Sequence, residues 1–154
     1  MIKLYLDNCC YNRPFDDLSQ EKNKIEAQAI ETIIKMYTNG NIIIYKSRAL
    51  EFEINKITNI NKRKQVEELI RLLKLESIPY SYELDNRVEE LEKSNIHFMD
   101  AYHLAYAESA FVNYFITVDK QLINASKRSN IKLKVMNPIE FLMEVVKWKL
   151  QQKN

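Results

Sequence analysis

Glycine is almost missing from this chain: Gly40 is the only one in 154 residues. One glycine cannot build a G-x-G-x-x-G dinucleotide fingerprint or a G-x-x-x-x-G-K-[ST] phosphate loop, so dinucleotide dehydrogenases and P-loop NTPases are excluded. Cysteine is equally scarce, with only the adjacent pair Cys9 and Cys10. Neighbouring cysteines seldom bridge each other and no zinc-ligand spacing surrounds these two, so small, reduced, partly buried side chains are expected. Long apolar runs are lacking as well. None approaches the roughly 20 residues that cross a bilayer, and Ile2-Lys3-Leu4-Tyr5-Leu6 is too short for the apolar core of a signal peptide. A cytoplasmic location without membrane association is the expectation. Charge of one sign is also lacking: 23 basic and 21 acidic side chains leave a net +2. Contacts with a polyanion would therefore have to come from local patches.

What is present is an ordinary globular balance, 46% hydrophobic and 29% charged. A chain of this length buries roughly 70% of its unfolded surface and needs no disulfide to fold. One domain is expected over residues 1–146, followed by a basic C-terminal tail over 147–154.

Short apolar runs alternate with helical periodicity. Ile2–Asp7 reads as a strand that ends on a charge, and Asn12-Arg13-Pro14-Phe15-Asp16 as a turn. Asp17 with Gln20 has the form of a capping box, which predicts a long helix over Asp17–Tyr37 with Ile25, Ala29, Ile33 and Met36 inward and Asn39-Gly40 as its stop. Ile42–Tyr45 is a second strand, and Ser47 caps a helix carrying Leu50, Ile54 and Ile57. Further helices are predicted over Lys62–Leu75, Leu84–Lys93 and Phe98–Phe111, with strands at Ser77–Tyr80, Tyr114–Val118 and Leu133–Met136, and a last helix opened by Pro138. Strands separated by helices imply βαβ units, hence an α/β sandwich with a mostly parallel sheet of four to five strands.

Ligands of such sheets bind beyond the carboxyl ends of the strands. Asp7 closes the first strand and Asp119 follows Tyr114–Val118; each either points into that crevice or caps the next helix. Asp100, in the first turn of its helix, is either a ligand or a charge favoured by the helix dipole. His103 one turn on reads as a packed or hydrogen-bonded histidine rather than a ligand. Glu51 and Glu53 point about 200° apart on a helix, so only one can face the crevice. Glu53 lies slightly nearer the apolar stripe. Two carboxylates ~4 Å apart repel by roughly 4 kcal/mol in a medium of effective dielectric about 20. A cluster of them therefore calls for protonation or a divalent cation, and an all-oxygen set suits Mg²⁺ or Mn²⁺ better than zinc. Phosphodiester hydrolysis is the chemistry that such a site serves.

At these residues the chain resembles the PIN domain, the fold of VapC-type toxins and related nucleases. The resemblance rests on Leu4-Tyr5-Leu6-Asp7-Asn8, on Ser47 six residues before Glu53-Ile54, on Asp100-Ala101-Tyr102-His103-Leu104-Ala105, and on Phe115-Ile116-Thr117-Val118-Asp119. The four blocks occur in the family's order and span most of the chain. The resemblance implies a three-layer, Rossmann-like α/β domain whose acidic pocket holds Mg²⁺ or Mn²⁺ and cleaves RNA, with Asp7, Glu53, Asp100 and Asp119 as catalytic residues and metal ligands. Thr117 is implied as an orienting hydroxyl, and Asn8 and Asn12 either support a carboxylate or a metal-bound water or serve as turn formers. Family members commonly carry Thr or Ser after the first Asp, where Asn8 stands here. The stretch Asn8–Asp17 resembles a particular bacterial subgroup rather than the typical toxin.

Arg13, Arg48 and Lys120 lie close in sequence to the proposed ligands and are the candidate RNA contacts. The leading expectation is an Mg/Mn-dependent endoribonuclease, the toxin of a toxin–antitoxin pair whose antitoxin covers the groove. Pairing of two copies through the long helix Asp17–Tyr37 is expected by analogy. The competing classes are a catalytically inactive PIN-like module that binds RNA or protein, and a metal-dependent phosphatase on a similar sheet. Acids spread over four separated elements favour the nuclease.

Overall fold

The computed structural model describes residues 1–152, with side chains through Lys147. Five strands, β1 (Ile2–Leu6), β2 (Ile42–Lys46), β3 (Glu76–Ser77), β4 (Tyr114–Ile116) and β5 (Lys134–Met136), form one sheet in the order β3-β2-β1-β4-β5. Every pairing is parallel. Among the described residues the α-helices are α1 (Asn8–Asn12), α2 (Glu21–Thr38), α3 (Arg48–Asn55), α4 (Ile60–Leu73), α5 (Glu83–Glu92), α6 (Phe98–Ser109), α7 (Lys120–Lys127) and α8 (Pro138–Gln152), with a short 3-10 turn over Arg13–Phe15. The three-layer α/β architecture expected from the sequence is the one observed.

Side chains alternate across a strand, and β1 shows what that does here. Leu4 and Leu6 enter a core with α1, α2, α4 and α8, whereas Tyr5 enters a second core with α5 and α6. Both faces are covered, which is why the strands read as continuous apolar runs. The direction of the strand order reverses between β1 and β4, and at such a switch point the loops part to leave a crevice. Asp7 lies there, its backbone N–H donating to the Ile116 carbonyl at 2.9 Å.

Several boundaries differ from the sequence reading. The long helix begins at Glu21, not Asp17, because the Asp17 carboxylate accepts from Ser19 N–H and Oγ–H, closing a local turn in place of a capping box. Its inward face is Glu26, Ala27, Ala29, Ile30 and Ile33, and Ile25 is 43% exposed. The sequence gives no hint of this rotation, because it depends on Glu26 being paired in the interior. The third strand is shorter than Ser77–Tyr80: pairing ends with Ile78 N–H on the Lys46 carbonyl, and Pro79 has no N–H to offer. The strand predicted over Tyr114–Val118 stops at Ile116, and Thr117 adds one last bond to the Met136 carbonyl. The helix expected to reach Phe111 ends at Ser109. The basic tail expected from residue 147 starts within α8, and residues 153 and 154 lie outside the described residues. Among the described residues, no helix is long and apolar enough to cross a membrane.

Candidate metal centre

Asp7 is 6% exposed and held at both oxygens. Its Oδ1 accepts from Asn8 N–H at 2.8 Å, and its Oδ2 from the Thr117 hydroxyl at 2.8 Å. Thr117 in turn accepts from Asp119 N–H at 3.1 Å, so one hydroxyl links the ends of β1 and β4. Cys9 Sγ lies 3.4 Å from Asp7 Oδ2 and 3.3 Å from Thr117 Oγ1. Asn8 and Asn12 lie in α1, and the side-chain oxygen of each is buried without a hydrogen-bond partner among the described residues.

Glu53 reaches the same mouth from α3. Ser47 caps that helix, accepting from Leu50 N–H at 3.3 Å. Glu51 turns away and pairs with Lys46 at 3.1 Å, whereas Glu53 Oε1 accepts a short hydrogen bond from His103 Nε2. His103 is fully buried, and its Nδ1 lies 2.6 Å from the Tyr5 hydroxyl, which lies 2.5 Å from Ser47 Oγ. Asp7, Glu53 and His103 each bring one potential ligand atom, all within 4.8 Å of one another. The sequence reading of His103 as a packed, hydrogen-bonded residue agrees with this placement, but its bond to Glu53 was not foreseen. Tyr5 was missed altogether. The usable signal was its spacing of two from Asp7, which puts both on one side of an extended segment.

Asp100 occupies the first turn of α6. Burial, then the charge of Asp7 and, more weakly, those of Asp119 and Glu53, push its carboxyl up to about 6, with His103 opposing. Asp100 and Asp119 line one groove, whereas the ligand atoms within 4.8 Å of one another belong to Asp7, Glu53 and His103; the charges of Asp7, Glu53 and Asp119 all act on Asp100. Burial pulls the His103 imidazole down, but the Glu53 hydrogen bond and the charges of Asp7, Glu53 and Asp100 outweigh it and hold it above its ordinary value. Asp119 is exposed, and of its two sequence readings the helix cap is the one seen in its hydrogen bonds. Its Oδ1 caps α7, accepting from Gln121 and Leu122 N–H at 2.9 and 3.3 Å, while its charge acts on Asp100.

The candidate RNA contacts separate. Arg48 and Lys120 are exposed at the starts of α3 and α7. Arg13 instead faces inward, its guanidinium on Asp16 and Asn23 at 2.9 Å and on Glu26 at 3.3 Å, and Lys62 reaches Asp16 from α4. The motif around Arg13 is thus an internal clamp that pins α1 to α2 and α4. Next to Asp100 and Asp119 opens a groove of about 310 Å³, lined by Asn95, His97, Gln121, Asn124 and Arg128. A larger concavity of about 1440 Å³ lies at the amino ends of the strands, around Ile2, Asn41 and Asn113, and includes none of the four acids.

No protein-family model and no curated protein matches the sequence. Solved structures do match the fold. The structure of VapBC2 from Rickettsia felis bound to a DNA fragment from their promoter superposes with a TM-score of 0.56 at 16% identity, over 88% of this chain and 98% of that one. PAE2754 from Pyrobaculum aerophilum superposes with a TM-score of 0.54 at 13% identity, over 95% and 90%. The fold is therefore VapC-like, that of a PIN domain, as the sequence resemblance implied.

Proposed function

We propose that the chain is a metal-dependent endoribonuclease that hydrolyses RNA phosphodiester bonds with Asp7, Glu53, Asp100 and Asp119, and serves as the toxin of a toxin–antitoxin pair. The observation that carries this reading is the placement of Asp7, Glu53 and His103 ligand atoms within 4.8 Å of one another at the switch point of the sheet, beside the groove that Asp100 and Asp119 line, where burial and the neighbouring negative charges push the Asp100 carboxyl up. Such repulsion has a use where a cation compensates it. The donor set fits Mg²⁺ or Mn²⁺: carboxylate oxygens dominate, the two cysteine thiols supply no zinc spacing, and Asp7 is already oriented by Thr117. Asp7 and Glu53 would hold the ion, with Asp100 and Asp119 beside it. When bound, the cation supplies charge neutralisation and an ionised water for attack on phosphorus.

The chain's own contribution is placement. Thr117 fixes the Asp7 carboxylate, and Asp119 leaves Oδ2 outside the cap of α7. Arg48 and Lys120 are exposed where phosphates of a single strand would pass. The groove beside Asp100, with amides and Arg128 on its walls, suits the neighbouring nucleotide. A small antitoxin would cover this mouth, and two copies would pair through α2. The test is cleavage of a mixed RNA pool with Mg²⁺ or Mn²⁺ by the native chain, Asp7→Asn and Asp100→Asn. Cleavage by the native chain alone is expected, and equal activity in all three would remove the mechanism.

A further inference from the structure

Glu53 stands apart from the other acids of the mouth. Asp7 is locked by a hydroxyl and a backbone N–H, and Asp119 by two backbone N–H groups. The Glu53 side chain is longer and 28% exposed, and its partner within the described residues is His103. Behind His103 lies a continuous line of hydrogen bonds leading into the protein. We propose that Ser47, Tyr5 and His103 form a buried positioning relay that presents Glu53 to the cation, with His103 acting through Glu53 and not as a ligand. The proposal rests on the metal-dependent reading above.

The direction of each bond follows from what each atom can do. A carboxylate only accepts, so the Nε2 proton of His103 must point at Glu53 Oε1. In the neutral ring Nδ1 has only a lone pair and receives the Tyr5 O–H at 2.6 Å, and Ser47 donates to Tyr5 across 2.5 Å. In the protonated ring, which the surrounding acids favour, Nδ1 donates to the Tyr5 oxygen and Tyr5 donates to Ser47, so the line stays closed in both states. Ser47 Oγ still accepts from Leu50 N–H, which anchors the line to the first turn of α3, the helix that carries Glu53.

Packing prevents the relay from swinging. Ser47, Tyr5 and His103 are all 0% exposed. The Tyr5 ring stacks on Phe115 at 5.4 Å and 10° and leans on His103 at 5.6 Å. Neither imidazole nitrogen is left for a metal, since Nε2 carries its proton toward Glu53 and Nδ1 faces Tyr5. Within the trio that lies inside 4.8 Å, the ligands are thus Asp7 and Glu53, whose Oε2 remains outside the bond to His103. The role of Ser47 is double, helix cap and relay terminus.

The experiment measures Mn²⁺ affinity of the full chain by electron paramagnetic resonance, for the native protein, Asp7→Asn, Tyr5→Phe, His103→Leu and His103→Gln. Tyr5→Phe keeps the stacked ring and loses one hydroxyl. It should weaken Mn²⁺ binding by about 10-fold and His103→Leu by up to about 100-fold, the range typical of groups that orient metal ligands. His103→Gln retains a donor toward Glu53 and should recover part of the loss. RNA cleavage should fall in kcat with KM held, because the relay touches no RNA. A native chain that binds no Mn²⁺ overturns the metal reading and the relay with it. If the native chain binds, Asp7→Asn weakens binding, and folded Tyr5→Phe and His103→Leu both match the native affinity, the relay alone is overturned. A nitrogen coupling on bound Mn²⁺ that vanishes in His103→Leu would make His103 a ligand, which also overturns it.

Discussion

Replacing Asp100 with asparagine should make the metal-free protein more stable, and by an amount that depends on pH. The carboxyl of Asp100 is lifted from 3.8 to about 6, chiefly by burial and by the charge of Asp7. The folded protein therefore holds the Asp100 proton more tightly than the unfolded chain does. Below pH ~4 both states are protonated and nothing is lost; stability then falls as pH rises from ~4 through ~6 and levels off above. Full ionisation costs the native state about 3 kcal/mol at about 1.4 kcal/mol per pH unit, and partial exposure of the side chain reduces this to about 1–2 kcal/mol. Asn has the same shape without the charge. Asp100→Asn should raise Tm by about 2–8 °C at pH 8 for a domain of this size, and by nothing at pH 3.5. The assay is thermal unfolding with EDTA across that range, repeated with Mg²⁺ or Mn²⁺. The ion should stabilise the native chain more than the variant and shrink the difference. A variant no more stable than the native chain at pH 8, or a gain that ignores pH, would refute the account of Asp100 as a carboxyl raised by its acidic neighbours.

Arg13→Ala leaves Glu26, 2% exposed, without its guanidinium partner; a urea titration should show a loss of about 3 kcal/mol or more. At temperatures where that variant stays folded, its RNA cleavage should match the native rate, and a selective loss of RNA affinity would instead make Arg13 a phosphate contact. Gly40 has φ +78° with open space around its missing Cβ, so Gly40→Ala should cost about 1 kcal/mol from backbone strain alone, seen as a Tm lower by about 2–4 °C. Arg128→Ala removes the cation of the groove beside Asp100. It should raise KM for RNA several-fold and lower the salt slope of binding by about 1, and an unchanged slope would take the groove out of the substrate path.

The alternation of apolar runs and helical stripes was legible in the sequence because it reflects burial on two sheet faces. So were the positions of the four candidate acids, since Asp7 and Asp119 follow strands, Glu53 lies on the helix after β2, and Asp100 sits in the first turn of α6. Ser47 as a cap and Pro138 as a helix start are local chemistry, visible within one turn of chain. Tertiary structure decided what depends on partners far away in sequence. Arg13 looked like a surface cation until Glu26 and Asp16 closed around it, and Ile25 faced outward once Glu26 took the inner position. Which of Glu51 and Glu53 enters the mouth was a matter of a small angular margin on the helix. The structure resolves it through His103, 50 residues away, and Tyr5 behind it. A periodicity records which side of an element is apolar, but not which polar group a distant element will bring to meet it.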